Sequence, residues 1–388
     1  MKSKFFYVSL LHFFNDGFSA SLLLFLPFIA KDMGLNLTKV GILGSGMNLL
    51  PIALALPSAL LADRFGHFKT LLFALLICGI AYLLMSLATG FGILLLLFIL
   101  IGIPFGLFHP IGFALVSRLS GSENIGRHIG NFTAWGDVGR LAISGGVTFI
   151  IVAWGWRSSA LLYGVAGVAV FMYLYFFHFR TDRLNDQKRE DFQLGKFTHL
   201  LQNRQFIYAA AVTALDNLAS SGLFLFLPFL LLSKHIQPTF LSSFAGAFIV
   251  GTLLGKAVLG RWVDRLGSVK VFVITEILMA VLIVLLTVVS ALWLIVIISV
   301  VLGIATRGTV PATQTMVYQS MAESQNFERA NGVAQFGDTV AAVIVPILLG
   351  LTSDRLGINW AFWLAAGFAL LAVIPAVAFG NVRLSSDA

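Results

Sequence analysis

The chain has 388 residues, of which 59% are hydrophobic and only 11% are charged, and its mean hydropathy is +0.94. A soluble domain carries about 25% charged residues, so this chain cannot cover a water-facing surface and is expected to cross a membrane many times. Its net charge of +8 is read as the Lys and Arg excess that orients membrane loops, not as a nucleic-acid surface, and the single Cys78 excludes a disulfide framework or a Cys-based metal site within one chain.

A membrane-spanning helix needs about 20 mostly apolar residues. The first such run, Phe5 to Ala30, follows Met1-Lys2-Ser3-Lys4. It is too long for a signal peptide, contains Asp16 and is followed by no convincing small-x-small cleavage site, so it is expected to be a retained first span. His12, Asn15, Asp16 and Ser19 within it are spaced i, i+3, i+4, i+7, one polar stripe on an otherwise apolar helix. A carboxylate at such a place costs about 2.5–3.5 kcal/mol on insertion scales, which makes a functional reason for it the natural reading. Further spans are expected at 39–62, 70–89, 91–117, 128–153, 157–179, 205–233, 238–262, 270–289, 291–318, 329–352 and 358–380, twelve with the first. Between the sixth and seventh, Arg180 to Arg204 is the only long polar stretch, either a surface amphipathic helix or a solvated connector. The expected domains are a six-helix bundle at 1–179, a cytoplasmic linker at 180–204 and a second six-helix bundle at 205–388.

Basic residues alternate between loops very unevenly. The face that holds the N-terminus receives Lys2, Lys4, Arg64, Lys69, Arg118, Arg127, the linker, Arg261, Arg265, Lys270, Arg329 and Arg383. The other face receives Lys31, Lys39, Arg157, Lys234 and Arg355. Both termini are therefore expected in the cytoplasm.

The sequence repeats itself at a constant offset of 201 positions, as from His12 to Thr213. The polar stripe returns as Thr213, Asp216, Asn217 and Ser220, with the acid moved by one place, and Phe25-Leu26-Pro27-Phe28 returns as Phe226-Leu227-Pro228-Phe229. Asp63-Arg64-Phe65-Gly66 returns as Asp264-Arg265-Leu266-Gly267, Pro110 as Pro311 and Gly136-Asp137 as Gly337-Asp338. A parallel repeat of six helices implies a pseudo-two-fold axis along the membrane normal, with a substrate site expected near mid-depth between the repeats.

The loop Leu61-Ala62-Asp63-Arg64-Phe65-Gly66-His67-Phe68-Lys69 and its second copy, Gly260 to Gly267, resemble the signature loop between the second and third helices of the major facilitator superfamily. The resemblance covers essentially the whole chain. It implies an all-α membrane protein of twelve transmembrane helices in two pseudo-symmetric six-helix bundles, working by alternating access. His12-Phe13-Phe14-Asn15-Asp16, Gly106-Leu107-Phe108-His109-Pro110 and the run from Gly126-Arg127-His128 to Gly136 are most similar to the fosmidomycin-resistance type of exporter. The chain departs from that type at Asp137 and Arg140, where an uncharged amide and a small residue are expected.

Asp16 and Asp216 lie about eleven residues into their helices, roughly 16 Å from the cytoplasmic edge at 1.5 Å per residue. Burial at mid-membrane favours the neutral carboxyl, so either acid can take up and release a proton at physiological pH; a permanent polar lock between helices is the competing reading. Asp137 and Arg140 are i, i+3 and can pair on one face. Arg140 cannot deprotonate and so needs an anionic partner: Asp137, Asp16 or a carboxylate- or phosphate-like group on a substrate. Arg307, on the tenth helix, which lines the cavity in the family, is the second mid-depth cation, with Asp338 or Asp216 to neutralise it. Substrate and internal acid would then compete for one guanidinium, which is a physical route to coupling. His12 shares the Asp16 stripe and can tune its proton affinity, and His109, before Pro110, titrates near neutrality or packs on the proline kink. Asn15 and Asn217 are candidate substrate contacts. Lys256 and Glu276 are placed nearer the cytoplasmic surface, as snorkelling side chains or a structural pair. The Asp63-Arg64 and Asp264-Arg265 pairs are expected to form state-dependent latches, or simple topological charge anchors.

No Gly-x-x-x-x-Gly-Lys-Ser/Thr loop is present for an ATP-driven motor, and no cluster has convincing metal-ligand spacing. No enzyme, metal or cofactor is expected. The reading is a monomeric, proton-coupled secondary carrier of the bacterial inner membrane for a small polar, anionic organic compound. Export by antiport is favoured, with proton-symport uptake of an organic anion as the runner-up. A multidrug exporter with a promiscuous apolar pocket and a non-transporting sensor or scaffold are the other classes.

Overall fold

The computed structural model describes residues 2–54, 57–119, 125–179, 202–321 and 327–386, and regular structure in these is entirely helical. The linker expected at 180–204 falls almost wholly outside the described residues, as does the side chain of Lys256. The chain divides into two compact units, Met1–Arg189 with Ile236–Ser242, and Glu190–His235 with Ser243–Ala388.

In the first unit, α1 (Lys2–Asp32) is followed by α2 (Leu37–Leu54) and α3 (Pro57–Phe65), then α4 (His67–Ser86) and α5 (Phe91–Leu119). Gly66 turns α3 into α4 at φ +91, a conformation in which a side chain would be strained. After α6 (Ile125–Ser144), the pair Gly145-Gly146 interrupts the helix before α7 (Val147–Leu174), which ends in a π-helical turn at Tyr175–Phe179. Gly155 inside α7 is non-helical, with φ 80, so residues 147–154 finish the fifth span and the sixth starts beyond the turn. Among the described residues, eleven segments are long and apolar enough to cross a membrane. The twelfth is α6 with 147–154, and α6 is the least apolar of the long helices because it carries Arg127, His128, Asn131, Asp137 and Arg140. Thr148 of α7 ties the Ile236–Ser242 segment into this unit through hydrogen bonds with the Thr239 carbonyl and the Ser242 hydroxyl.

In the second unit, α8 (Arg204–Ser220) is capped by Asn203, whose side chain accepts from the Phe206 amide at 3.2 Å. It continues as α9 (Leu223–Ser233), and then come α10 (Leu241–Leu266), α11 (Ser268–Val288), α12 (Leu292–Gly308) and α13 (Val310–Gln319). The unit closes with α14 (Phe327–Leu356) and α15 (Ile358–Ser386). Ala361, Ala365, Ala369, Ala372 and Ala376 are fully buried along one stripe of α15, and small residues at this spacing let α15 approach α8 and α11 closely. Lys234 follows α9 and donates to the Thr287 and Val289 carbonyls at 3.0 and 2.6 Å, which supplies partners to the open C-terminal end of α11.

Close helix crossings recur at the sequence offset. An added Cβ on Gly102 would meet the Met47 carbonyl, and one on Gly303 would meet the Phe248 carbonyl, so α5 crosses α2 as α12 crosses α10. The crossing that positions polar groups is that of α1 and α6. There Gly139 lies against the backbone of Phe13, and Gly17 lies against Ile143 and the Gly139 carbonyl. Gly139→Ala must push these backbones apart, at a cost of about 1–3 kcal/mol. It is expected to lower the thermal unfolding midpoint in detergent, whereas Gly367→Ala, with open space around it, is expected to leave the midpoint unchanged.

Candidate functional site

Two polar clusters are built on the repeated stripes, one inside each unit. In the first, His12, Asn15, Asp16 and Ser19 of α1 are all buried. Arg140 of α6 places one guanidinium nitrogen 2.6 Å from Asp16 Oδ2 and the other 3.1 Å from Asp137 Oδ1. Both acids named as possible partners of Arg140 thus hold it at once, and Arg140 keeps 25% of its side chain exposed. Asn15 donates its amide to Asp16 Oδ1 at 3.1 Å, and His109 of α5 brings Nε2 to 4.0 Å from the same oxygen.

His12 is locked between the rings of Phe108 and Phe132, with centroids 5.6 and 4.1 Å away. Its Nδ1 is 2.8 Å from the Phe132 carbonyl. A carbonyl can only accept, so Nδ1 carries the hydrogen. Nε2 then faces Asp16 Oδ1 at 3.3 Å. Gly136 is required beside the ring, because an added Cβ would run into the imidazole. The nitrogens of His12 and His109 and an oxygen of Asp16 lie within 4.8 Å of one another. The Arg140 guanidinium already pairs with the other oxygen of Asp16, Oδ2, and places a fixed positive charge beside this group.

In the second unit, the Thr309 hydroxyl lies 3.2 and 3.0 Å from the two oxygens of buried Asp216. Asn217 donates to the Asp338 backbone carbonyl at 2.6 Å. Asp216, Asn217, Arg307 and Asp338 line a small cavity of about 50 Å³, together with the hydroxyls of Thr213 and Ser220. Arg307 is the one basic side chain on that lining, and it bears electrostatically on both Asp216 and Asp338.

Glu276 of α11 is where the structure corrects the sequence reading. It does not snorkel: it is fully buried, and its carboxyl meets that of Asp216. The repeat offered no clue, because the position 201 earlier is Leu75. The available signal was a lone acid near the middle of an apolar 21-residue helix, which is a functional hypothesis by default. The Asp63-Arg64 and Asp264-Arg265 pairs are in neither cluster. They are exposed near the ends of α3 and α10, beside the Gly66 and Gly267 turns.

A double-mutant cycle checks the central ion pair. Asp16→Asn and Arg140→Gln should each lower thermal stability, with a coupling of about 1 kcal/mol or more between them. Strict additivity would mean that the pair is not formed.

Residues 8–231 and 209–386 each match the family model described as Major Facilitator Superfamily. Among solved structures, the chain is similar to a bacterial homolog of the human lysosomal transporter Spinster, in an inward-facing and unoccupied conformation. The TM-score is 0.78 at 14% identity, over 98% of this chain and 97% of that one. It is also similar to a point mutant of the nucleoside transporter NupG, with a TM-score of 0.77 at 13% identity, over 97% of this chain and 99% of that one. At these identities the likeness speaks for the fold alone. No curated protein matches the chain. Two matches to one family model, spanning both repeats, establish that the chain belongs to the Major Facilitator Superfamily, as a secondary transporter and not an enzyme.

Proposed function

We propose that the protein is a proton-coupled carrier for a small polar organic anion, and that Arg140 and Arg307 are the groups that receive the anion. The observation that carries this reading is the pairing of Arg140 with both Asp16 and Asp137. A guanidinium cannot discharge by losing a proton. Protonation of Asp16 therefore leaves Arg140 short of negative charge, which a substrate carboxylate or phosphate-like group can supply. Substrate and proton affinities are linked by the same amount in both directions. Arg307 faces a similar competition, with Asp216 and Asp338 as the internal acids. Asn15, Asn217 and His109 are the neutral or titratable contacts around these cations, and His12, Asp137 and Asp338 tune where the proton rests.

The motifs shared with the fosmidomycin-resistance type favour export by antiport. Uptake by symport uses the same residues with the opposite gradient. The proposed setting is a bacterial inner membrane, with the chain as a monomer and both termini cytoplasmic. The Asp63-Arg64 and Asp264-Arg265 pairs are proposed as latches between conformations of the alternating-access cycle. The 36 phenylalanines keep open a multidrug exporter with an apolar pocket, which would favour cations and tolerate loss of both arginines.

The test is flux in proteoliposomes with an imposed pH gradient, using a panel of organic anions, cations and neutral drugs. Arg140→Ala and Arg307→Ala are each expected to reduce anion flux about tenfold or more, with the protein still inserted. Normal anion flux in Arg140→Ala would refute the anion-site reading. Reversing the gradient distinguishes antiport from symport.

A further inference from the structure

The carboxyls of Asp216 and Glu276 meet inside the second unit, and their surroundings are unequal. Asp216 receives the Thr309 hydroxyl, borders the small cavity and feels the positive charge of Arg307 as well as the negative charge of Asp338. Glu276 is fully buried, and neither of its oxygens receives an N–H or O–H from any described residue. Its neighbour is the Asp216 carboxyl itself. Two ionised carboxylates in contact repel strongly in a medium with little water, so the pair holds at most one full negative charge. A buried carboxylate with no donor is also costly, whereas a carboxylic acid there can donate its own hydrogen.

We infer that Glu276 and Asp216 form a proton-binding site in which Glu276 holds a proton and donates it to the Asp216 carboxylate. Asp216 borders the cavity and Glu276 does not, so Asp216 is the port and Glu276 the store. A proton passes from Glu276 to Asp216 as one O–H bond breaks and another forms. A second proton arriving at Asp216 by way of the cavity makes both groups neutral and frees Arg307 from one of its acids, and its departure by the same route returns the pair to a single shared proton. This use in coupling rests on the proton-coupled reading above, but occupancy by the proton does not.

Infrared difference spectroscopy of the purified full-length protein in liposomes, titrated in pH without any substrate, reads the carbonyl stretch of a protonated, non-hydrated carboxylic acid. The wild type is expected to show this band at neutral pH, and Glu276→Gln, a neutral near-isostere, is expected to abolish it. Asp216→Asn should keep the band but shift its frequency, because the acceptor of the Glu276 proton changes. Absence of the band in the wild type, or its persistence in Glu276→Gln, overturns the proton site. In the organic-anion flux assay, Glu276→Gln should lose gradient-driven accumulation but retain exchange between equal internal and external pools. Unchanged accumulation in that variant would overturn the coupling role even with the band assigned. Loss of exchange in Arg140→Ala bears only on the anion reading, so the two failures are distinguishable.

Discussion

An arginine that cannot lose its charge, set within a transmembrane bundle, is the constraint around which the first unit is arranged. Arg140 must be matched by acids in the bundle or the site would be prohibitively costly, and Asp16 and Asp137 both reach it. That reach depends on a close crossing of two helices. Gly139, adjacent to Arg140, lies against the Phe13 backbone, and Gly17, adjacent to Asp16, lies against Ile143. The polar contact and the glycine contact are therefore one feature read at two levels. Glycine brings the backbones together, and the side chains one position away then lie within hydrogen-bond range across the interface.

The repeat preserves this mechanical framework more faithfully than it preserves the charges. Gly102 and Gly303 make equivalent backbone crossings, and Gly66 and Gly267 make equivalent turns at φ 91 and 87. Asp137 and Asp338 also correspond. The cations do not: the counterpart of Arg140 is Ala341, and that of Arg307 is Gly106, which packs on the backbone of Pro51. Thr309, the hydroxyl on Asp216, has Phe108 as its counterpart, the ring stacked on His12. Each unit therefore meets its buried acids with a different residue set. In the first the partners are a guanidinium, an amide and two imidazoles, and in the second a hydroxyl, a guanidinium and another carboxyl.

These particulars explain what the sequence could and could not reveal. Span positions were legible because apolar runs bounded by glycine turns are a strong signal. The fifth span was expected at 128–153 despite its polar content, and Gly155 is where the structure separates it from the sixth. The Asp16–Arg140–Asp137 grouping was accessible through helical spacing within each helix and the rule that a buried arginine needs an acid. Which acid was not, because the choice depends on how closely α1 approaches α6, a quantity set by packing at Gly139. Glu276 was misplaced for a related reason. Linear position along α11 says how deep the acid lies but not which neighbour it faces, and the repeat, with Leu75 at the matching place, gave no partner.

Counting charges within each unit shows that the two clusters are balanced differently. The first cluster has two carboxylates against one guanidinium, with the His12 ring, its Nδ1 committed to the Phe132 carbonyl, set beside Asp16. Among the described residues lining the second cavity, Arg307 is the one cation near Asp216, Glu276 and Asp338, and there is no histidine. On the proposed proton-coupled reading, protonating a carboxyl relieves this excess of negative charge. By the same reading, a proton on Asp216 weakens its hold on Arg307, as a proton on Asp16 weakens its hold on Arg140. In each unit the proposed protonation loosens an arginine from an internal carboxylate, which is the change an incoming anion requires.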